Sequence, residues 1–185
     1  MNELYLAPVG PVQPPALDWI EAGAAEWYAF PVCRLPPISI QASAFDAVRQ
    51  QYRSVEIIKL LARTTPLGAA RMLGVTEADL SIPMLTFLFG HAQLNGSVAL
   101  ISLCRLRQEF YGLPPDDSLL RERAVKEMLH EMGHTFGLTH CGNPQCAMSV
   151  STHIQFVDAK DARYCANCGT RIALGAAQPK GVESV

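Results

Sequence analysis

The chain lacks any strong charge imbalance. Its 185 residues carry 15 Lys and Arg against 17 Asp and Glu, a formal net charge of −2. That leaves no basic footprint for nucleic acid or for an anionic membrane surface, so neither is expected as a partner. Long apolar runs are missing too. The longest, Val98 to Ile101 extended through Leu103 by one serine, is far too short to span a bilayer. The first ten residues, MNELYLAPVG, hold no basic stretch and include Glu3, so they do not read as a signal peptide. Internal repeats and low-complexity tracts are absent. The expectation is one soluble, cytoplasmic domain, monomeric and long enough to bury a core.

What the chain does have is concentrated between Ala124 and Cys168. Two metal-ligand patterns meet there. The first is His130-Glu131-x-x-His134-x-x-Gly137-x-x-His140. On a helix of about 100° per residue, His130 and His134 lie roughly 40° apart, and Glu131 falls about 60° from His134. Two imidazoles on one face can bind one zinc while the carboxylate reaches the open coordination position. Val125, Leu129, Met132 and Phe136 form the opposite, core-facing stripe. Arg123, Lys126 and Glu127 continue the histidine side, which is expected to face a cleft or solvent. Gly137 accepts the positive φ of an abrupt helix end. His140 then supplies a third neutral nitrogen, and three ligands with an open fourth position mark a catalytic zinc.

The second pattern is Cys141-x4-Cys146 followed by Cys165-x2-Cys168. Two close thiol pairs fit a closed tetrahedral site for structural zinc. Two disulfides are the alternative, disfavoured because cytosolic thiols stay reduced. Two zinc ions per chain are therefore expected. Cys33 and Cys104 sit in apolar surroundings and read as buried free thiols.

The extended histidine pattern is the metzincin signature. HEMGHTFGLTHC, then CAM, then CANC, resembles the archaemetzincins, a metzincin branch. FLFG at 87–90, SLCRLR at 102–107 and the Leu119–Lys126 run resemble family segments as well; His91, after FLFG, departs from the family's usual acidic or amide residue. The resemblance implies a zinc metallopeptidase, with Glu131 as general base and Met148 as the Met-turn residue beneath the histidines. It implies an α/β (α+β) fold of metzincin type: a mixed twisted sheet with packed helices, an active-site helix and a small irregular zinc-bound C-terminal part. Residues 1–173 would form one catalytic domain, 1–137 its upper part and 138–173 its lower part, with 174–185 a disordered tail. A peptide or protein substrate would add to a sheet edge, at Met84–Phe89 or Ser97–Cys104. The rival reading is a metal-binding regulatory or peptide-binding module with a restricted active site. Asp158 is the candidate third ligand only if the chain belongs to another zinc-hydrolase class, and His153 reads as a loop histidine.

Among secondary elements, a first strand over Asn2–Val9, a helix over Ala16–Phe30 and a strand over Val32–Ile40 imply a right-handed crossover. Phe45–Arg63 reads as largely helical, with Ser54 capping a segment in its middle. Gly74–Asp79 reads as a turn. Met84–Phe89 and Ser97–Cys104 read as strands paired across Asn95-Gly96. Arg105–Pro115 reads as a loop, and Asp116, Asp117 or Ser118 as the cap of the active-site helix. Regular structure is expected to be scarce after His140.

Overall fold

The computed structural model describes residues 3–176. Three parallel strands form its centre: β1 (Leu4–Val9), β5 (Arg71–Thr76) and β9 (Val98–Ser102). β2 (Val32–Arg34) pairs parallel to β1, and β8 (Gly90–Ala92) pairs antiparallel to β9. The sheet order is β2-β1-β5-β9-β8. Along the central strands the side chains alternate between two covered faces. Leu4, Leu6, Leu73, Val75, Ala99 and Ile101 face one core, and Val9, Met72, Val98 and Leu100 face the other. Strands covered on both faces have no need of a polar side, which is why they read as apolar runs. Each Leu or Ile buried this way contributes about 1.5–3 kcal/mol.

Helices α1 (Pro14–Trp27) and α3 (Asp117–Thr135) cover the first face. α2 (Ser54–Thr64) covers the second through Ile57, Ile58 and Leu61. A smaller second sheet, in the order β3-β4-β6-β7, joins β3 (Phe45–Asp46), β4 (Gln51–Arg53), β6 (Leu80–Ile82) and β7 (Leu85–Leu88). The described residues end in α4 (Ile154–Ala159) and α5 (Ala166–Ala176). No helix among the described residues is long and apolar enough to cross a membrane.

The mixed α+β class is as expected, and several local expectations are corrected. Phe45–Arg63 is helical only from Ser54, because Arg49 and Gln51 donate to the β6–β7 carbonyls and hold the first half extended. Gly74–Thr76, read as a turn, lies inside the central strand β5. A Cβ at residue 74 would sit 2.5 Å from Leu61 Cδ1, so Gly74 lets α2 approach the sheet. Met84–Phe89 meets Ser97–Cys104 only at its end, where the Ser102 N–H donates to Phe89 O: Leu85–Leu88 belongs to the second sheet, and the hairpin through Asn95-Gly96 joins β8 to β9. The Arg105–Pro115 loop contains two short 3-10 turns, at Cys104–Leu106 and Gln108–Tyr111. After His140 the chain is more regular than expected, and Val157, Tyr164 and Ile172 enter the main core. Residues 174–176, assigned to a disordered tail, continue α5; 177–185 lie outside the described residues.

Candidate active site

The site is organised by α3. Asp116 caps it, accepting from the Leu119 N–H at 2.9 Å. At the other end Gly137 takes φ +82, where an L side chain would be strained. The Leu138 N–H returns to Gly133 O, and the Asn95 N–H of the β8–β9 loop donates to His134 O. The helix end is thus tied to the sheet beside it.

Of the expected polar side of α3, Glu127 lines the cleft, but Arg123 and Lys126 face neither cleft nor solvent. Arg123, Lys126 and Glu127 are buried beneath α4 and the segment after it. Arg123 makes a two-point contact with Asp158, at 2.6 and 2.8 Å. Lys126 pairs with Glu122 and donates to Asp158 O. Lys160 Nζ lies 3.0 Å from Glu127 Oε1, with neither group exposed by more than 3% at its side chain. Three charged groups without water are tolerable only as partners, and each has one. Asp158 is therefore a partner of Arg123, away from the histidines.

His130, His134 and His140 converge, with one ring nitrogen of each within 4.8 Å of the others. Their protonation follows from their backbone contacts. His130 Nδ1 lies 2.8 Å from Ala147 O, and His134 Nδ1 lies 2.7 Å from Leu138 O. A carbonyl only accepts, so both Nδ1 atoms carry the proton. Burial is the main cause holding both rings below the usual imidazole range; the Lys160 cation adds to it at His130. Neutral rings protonated at Nδ1 leave two bare Nε2 lone pairs, which face each other 3.2 Å apart. Two lone pairs at that distance repel unless a cation lies between them. The donor set thus fits a zinc ion, which binds neutral imidazole and whose ligating histidines donate their other ring N–H to a carbonyl.

Glu131 lies beside these rings, with 6% of its surface exposed. A Cβ on Gly90 would stand 2.6 Å from Glu131 Oε1, so β8 can run alongside the carboxylate only with glycine there. Burial, reinforced by Glu127, raises the Glu131 carboxyl well above its ordinary range. Glu131 and the three histidines line a cleft of about 750 Å³. Its upper wall is Leu85–Ala92, and its lower wall includes Thr139 and Val150–His153. His91 and His153 thus both reach the cleft. Ser54 Oγ holds His91 Nδ1 at 2.8 Å, and burial keeps that ring below its usual range.

Cys141, Cys146, Cys165 and Cys168 form the second cluster, all four sulfurs within 4.8 Å of one another. They are free thiols, with Cys141 and Cys165 sulfurs 3.9 Å apart. That is far beyond a disulfide bond, and close to the edge of about 3.8 Å that a tetrahedron with 2.3 Å zinc–sulfur bonds would have. The Asn143 and Cys165 backbone N–H groups donate to Cys141 and Cys146 sulfur. Backbone donation from Cys168 also brings the Cys165 thiol down to about 7, while burial pushes Cys146 up. Cys33 and Cys104 lie elsewhere and are only half-buried; burial pushes the Cys104 thiol up to about 11.

Met148 is fully buried and packs on the α3 backbone at Gly133. Its carbonyl accepts from the Cys141 N–H, and the preceding residue, Ala147, holds His130. One turn thus touches both clusters. The sequence reading gave no special role to Lys160, Glu127 or the Ala147 carbonyl. Glu127 was legible as a second carboxylate one turn before Glu131; Lys160 carried no signal.

A helical histidine pair, a third histidine beyond a glycine turn and a buried carboxylate beside an open cleft define the class, a zinc metallopeptidase of the metzincin design. The sequence model of Peptidase family M54 matches residues 34–173. The chain is 45% identical over 166 residues to the archaemetzincin of Methanocaldococcus jannaschii, covering 89% of each. Its fold matches the crystal structure of archaemetzincin from Methanopyrus kandleri with a TM-score of 0.81 and 31% identity, over 96% of this chain and 97% of that one. It also matches a zinc-dependent peptidase from Methanocorpusculum labreanum with a TM-score of 0.77 and 31% identity, over 91% of this chain and 99% of that one. The chain belongs to peptidase family M54, the archaemetzincins.

Proposed function

We propose that this zinc metallopeptidase uses His130, His134 and His140 to hold a catalytic zinc, and Glu131 as its general base. Cys141, Cys146, Cys165 and Cys168 hold a second, structural zinc, and Met148 is the Met-turn residue. The observation that carries the reading is the pair of Nε2 lone pairs facing each other at 3.2 Å while both Nδ1 atoms are committed to backbone carbonyls. The catalytic machinery sits in one domain, residues 1–173, with 138–173 as its lower part. The protein acts as a monomer in the cytoplasm, where the four thiols stay reduced.

Zinc bound by the three imidazoles supplies Lewis acidity, which acidifies water and polarises a carbonyl. Glu131 takes the proton of the attacking water and passes it to the leaving amine. Its burial raises the carboxylate's affinity for a proton, which suits a base that must hold that proton between the water and the amine. The Nδ1 contacts of His130 and His134 fix both rings, so neither turns away during a cycle. The substrate is an extended peptide. β9 cannot take it, because it lies between β5 and β8; β7 and β8 each end a sheet and line the cleft, and of the two it is β8 that runs against Glu131 at Gly90, so the peptide pairs at β8. Phe87, Phe89 and Val150 offer apolar surface to its side chains. Glu131→Gln tests the assignment. The variant is expected to retain both metals and the fold while losing on the order of 100-fold or more in peptide turnover. Unchanged turnover would place the base elsewhere.

A further inference from the structure

Lys160 is the least accessible charged group in the site's surroundings. It follows α4, its side chain is 0% exposed, and three oxygens surround its ammonium. Glu127 Oε1 is at 3.0 Å, Ala147 O at 3.3 Å and Ser149 O at 3.5 Å. The two carbonyls accept from the ammonium, and the Glu127 contact is an ion pair outside hydrogen-bond geometry. Ala147 O is the same oxygen that accepts from His130 Nδ1. The Ala147 N–H in turn donates to Arg163 O at 2.9 Å, and the Asp161 N–H donates to Gln145 O at 2.9 Å. The peptide under His130 is therefore gripped from both sides by residues 160–163.

We propose that Lys160 is a positioning residue of the active site: braced by Glu127, it fixes the Ala147 carbonyl, and that carbonyl fixes the His130 ring. The proposal rests on the reading of His130 as a zinc ligand. Glu127 comes from the active-site helix and Lys160 from the segment between α4 and Cys165, so the pair joins the two halves of the centre. Packing alone has no need of a cation here, since a buried ion pair is seldom better for stability than apolar groups of the same volume. A carbonyl shared between a histidine and an ammonium needs one.

That difference provides the test. Lys160→Met alone strands the Glu127 carboxylate and is expected to destabilise the fold. Glu127→Leu/Lys160→Met removes both charges. Its melting temperature should return to near that of the unaltered protein, because no unpaired charge remains. Its catalytic-zinc affinity, read by chelator competition on the zinc-loaded full chain, should still be on the order of 10–100-fold weaker, the usual effect of losing a contact behind a ligand. Unaltered affinity in the double variant would overturn the positioning role and leave Lys160 a structural residue. Should the double variant not fold, nitrogen-15 NMR of the unaltered protein decides. A Lys160 ammonium whose protons exchange far more slowly than those of surface lysines supports the grip on Ala147 O, and exchange as fast as at the surface overturns it. His130→Ala separates this inference from the one beneath it. If that variant keeps both zinc ions, the ligand assignment fails whatever Lys160 does.

Discussion

The two halves of this molecule hold themselves together by different means. β1, β5 and β9 form a region where most side chains are apolar and buried, and α2 covers one face of it through Ile57, Ile58 and Leu61. Residues 138–173 contribute a few anchors to the main core, among them Leu138, Met148, Val157 and Tyr164. Their course is otherwise set by polar contacts. Four thiols converge, Ala147 is bonded at both its N–H and its carbonyl, and Arg123 and Glu127 of α3 pair with Asp158 and Lys160 while Lys126 donates to the Asp158 carbonyl. Hydrophobic burial is non-directional and tolerates small shifts. Metal ligation and shared carbonyls are directional, and that is what a three-histidine centre requires of the loop bringing its third ligand.

The thiol cluster is where a single substitution should have the greatest consequence. Cys168→Ser is expected to release the structural zinc and loosen residues 138–173, weakening zinc at the histidines although residue 168 is far along the chain from each of them. Hydrogen exchange should show amides of that segment exchanging about 100-fold faster or more, with β1, β5 and β9 unchanged. Catalytic-zinc affinity untouched in a variant shown to lack the structural zinc would mean that the thiol site is not a scaffold. Leu100→Ala sharpens the contrast from the other side. Leu100 is fully buried against α2, so the loss should be about 2–5 kcal/mol in a denaturant titration, with zinc content unchanged. A loss of zinc in that variant would show that the two regions are coupled. Asp116→Ala is the smallest: it removes the α3 cap and should cost about 1 kcal/mol by the same titration, without altering metal content. No change in stability would show that the helix start is held by packing alone.

These contrasts also explain what could be read from the sequence. The histidine cluster and the cysteine cluster were both legible because their spacings are local: one helix turn, one glycine turn, two short thiol pairs. The active-site helix, its capping aspartate and the Gly137 turn were legible for the same reason. β5 was not, because Gly74 interrupts its apolar run. That glycine serves contact with Leu61 of α2, which no window of sequence around β5 contains. Residues 45–53 were taken for helix because their carbonyl partners lie more than thirty residues away, at Ile82 and Thr86. α5 carries Cys168 and Gly169, and its apolar pattern is thin. The buried pair of Glu127 and Lys160 was invisible because two ordinary charged residues 33 positions apart carry no pattern until the chain brings them together.

Elemental analysis of the purified full chain, with its cysteines reduced and no chelator used, should give two zinc ions per molecule, and His134→Ala should give one. One zinc or none in the unaltered protein, or two retained in His134→Ala, would contradict the account of two separate centres.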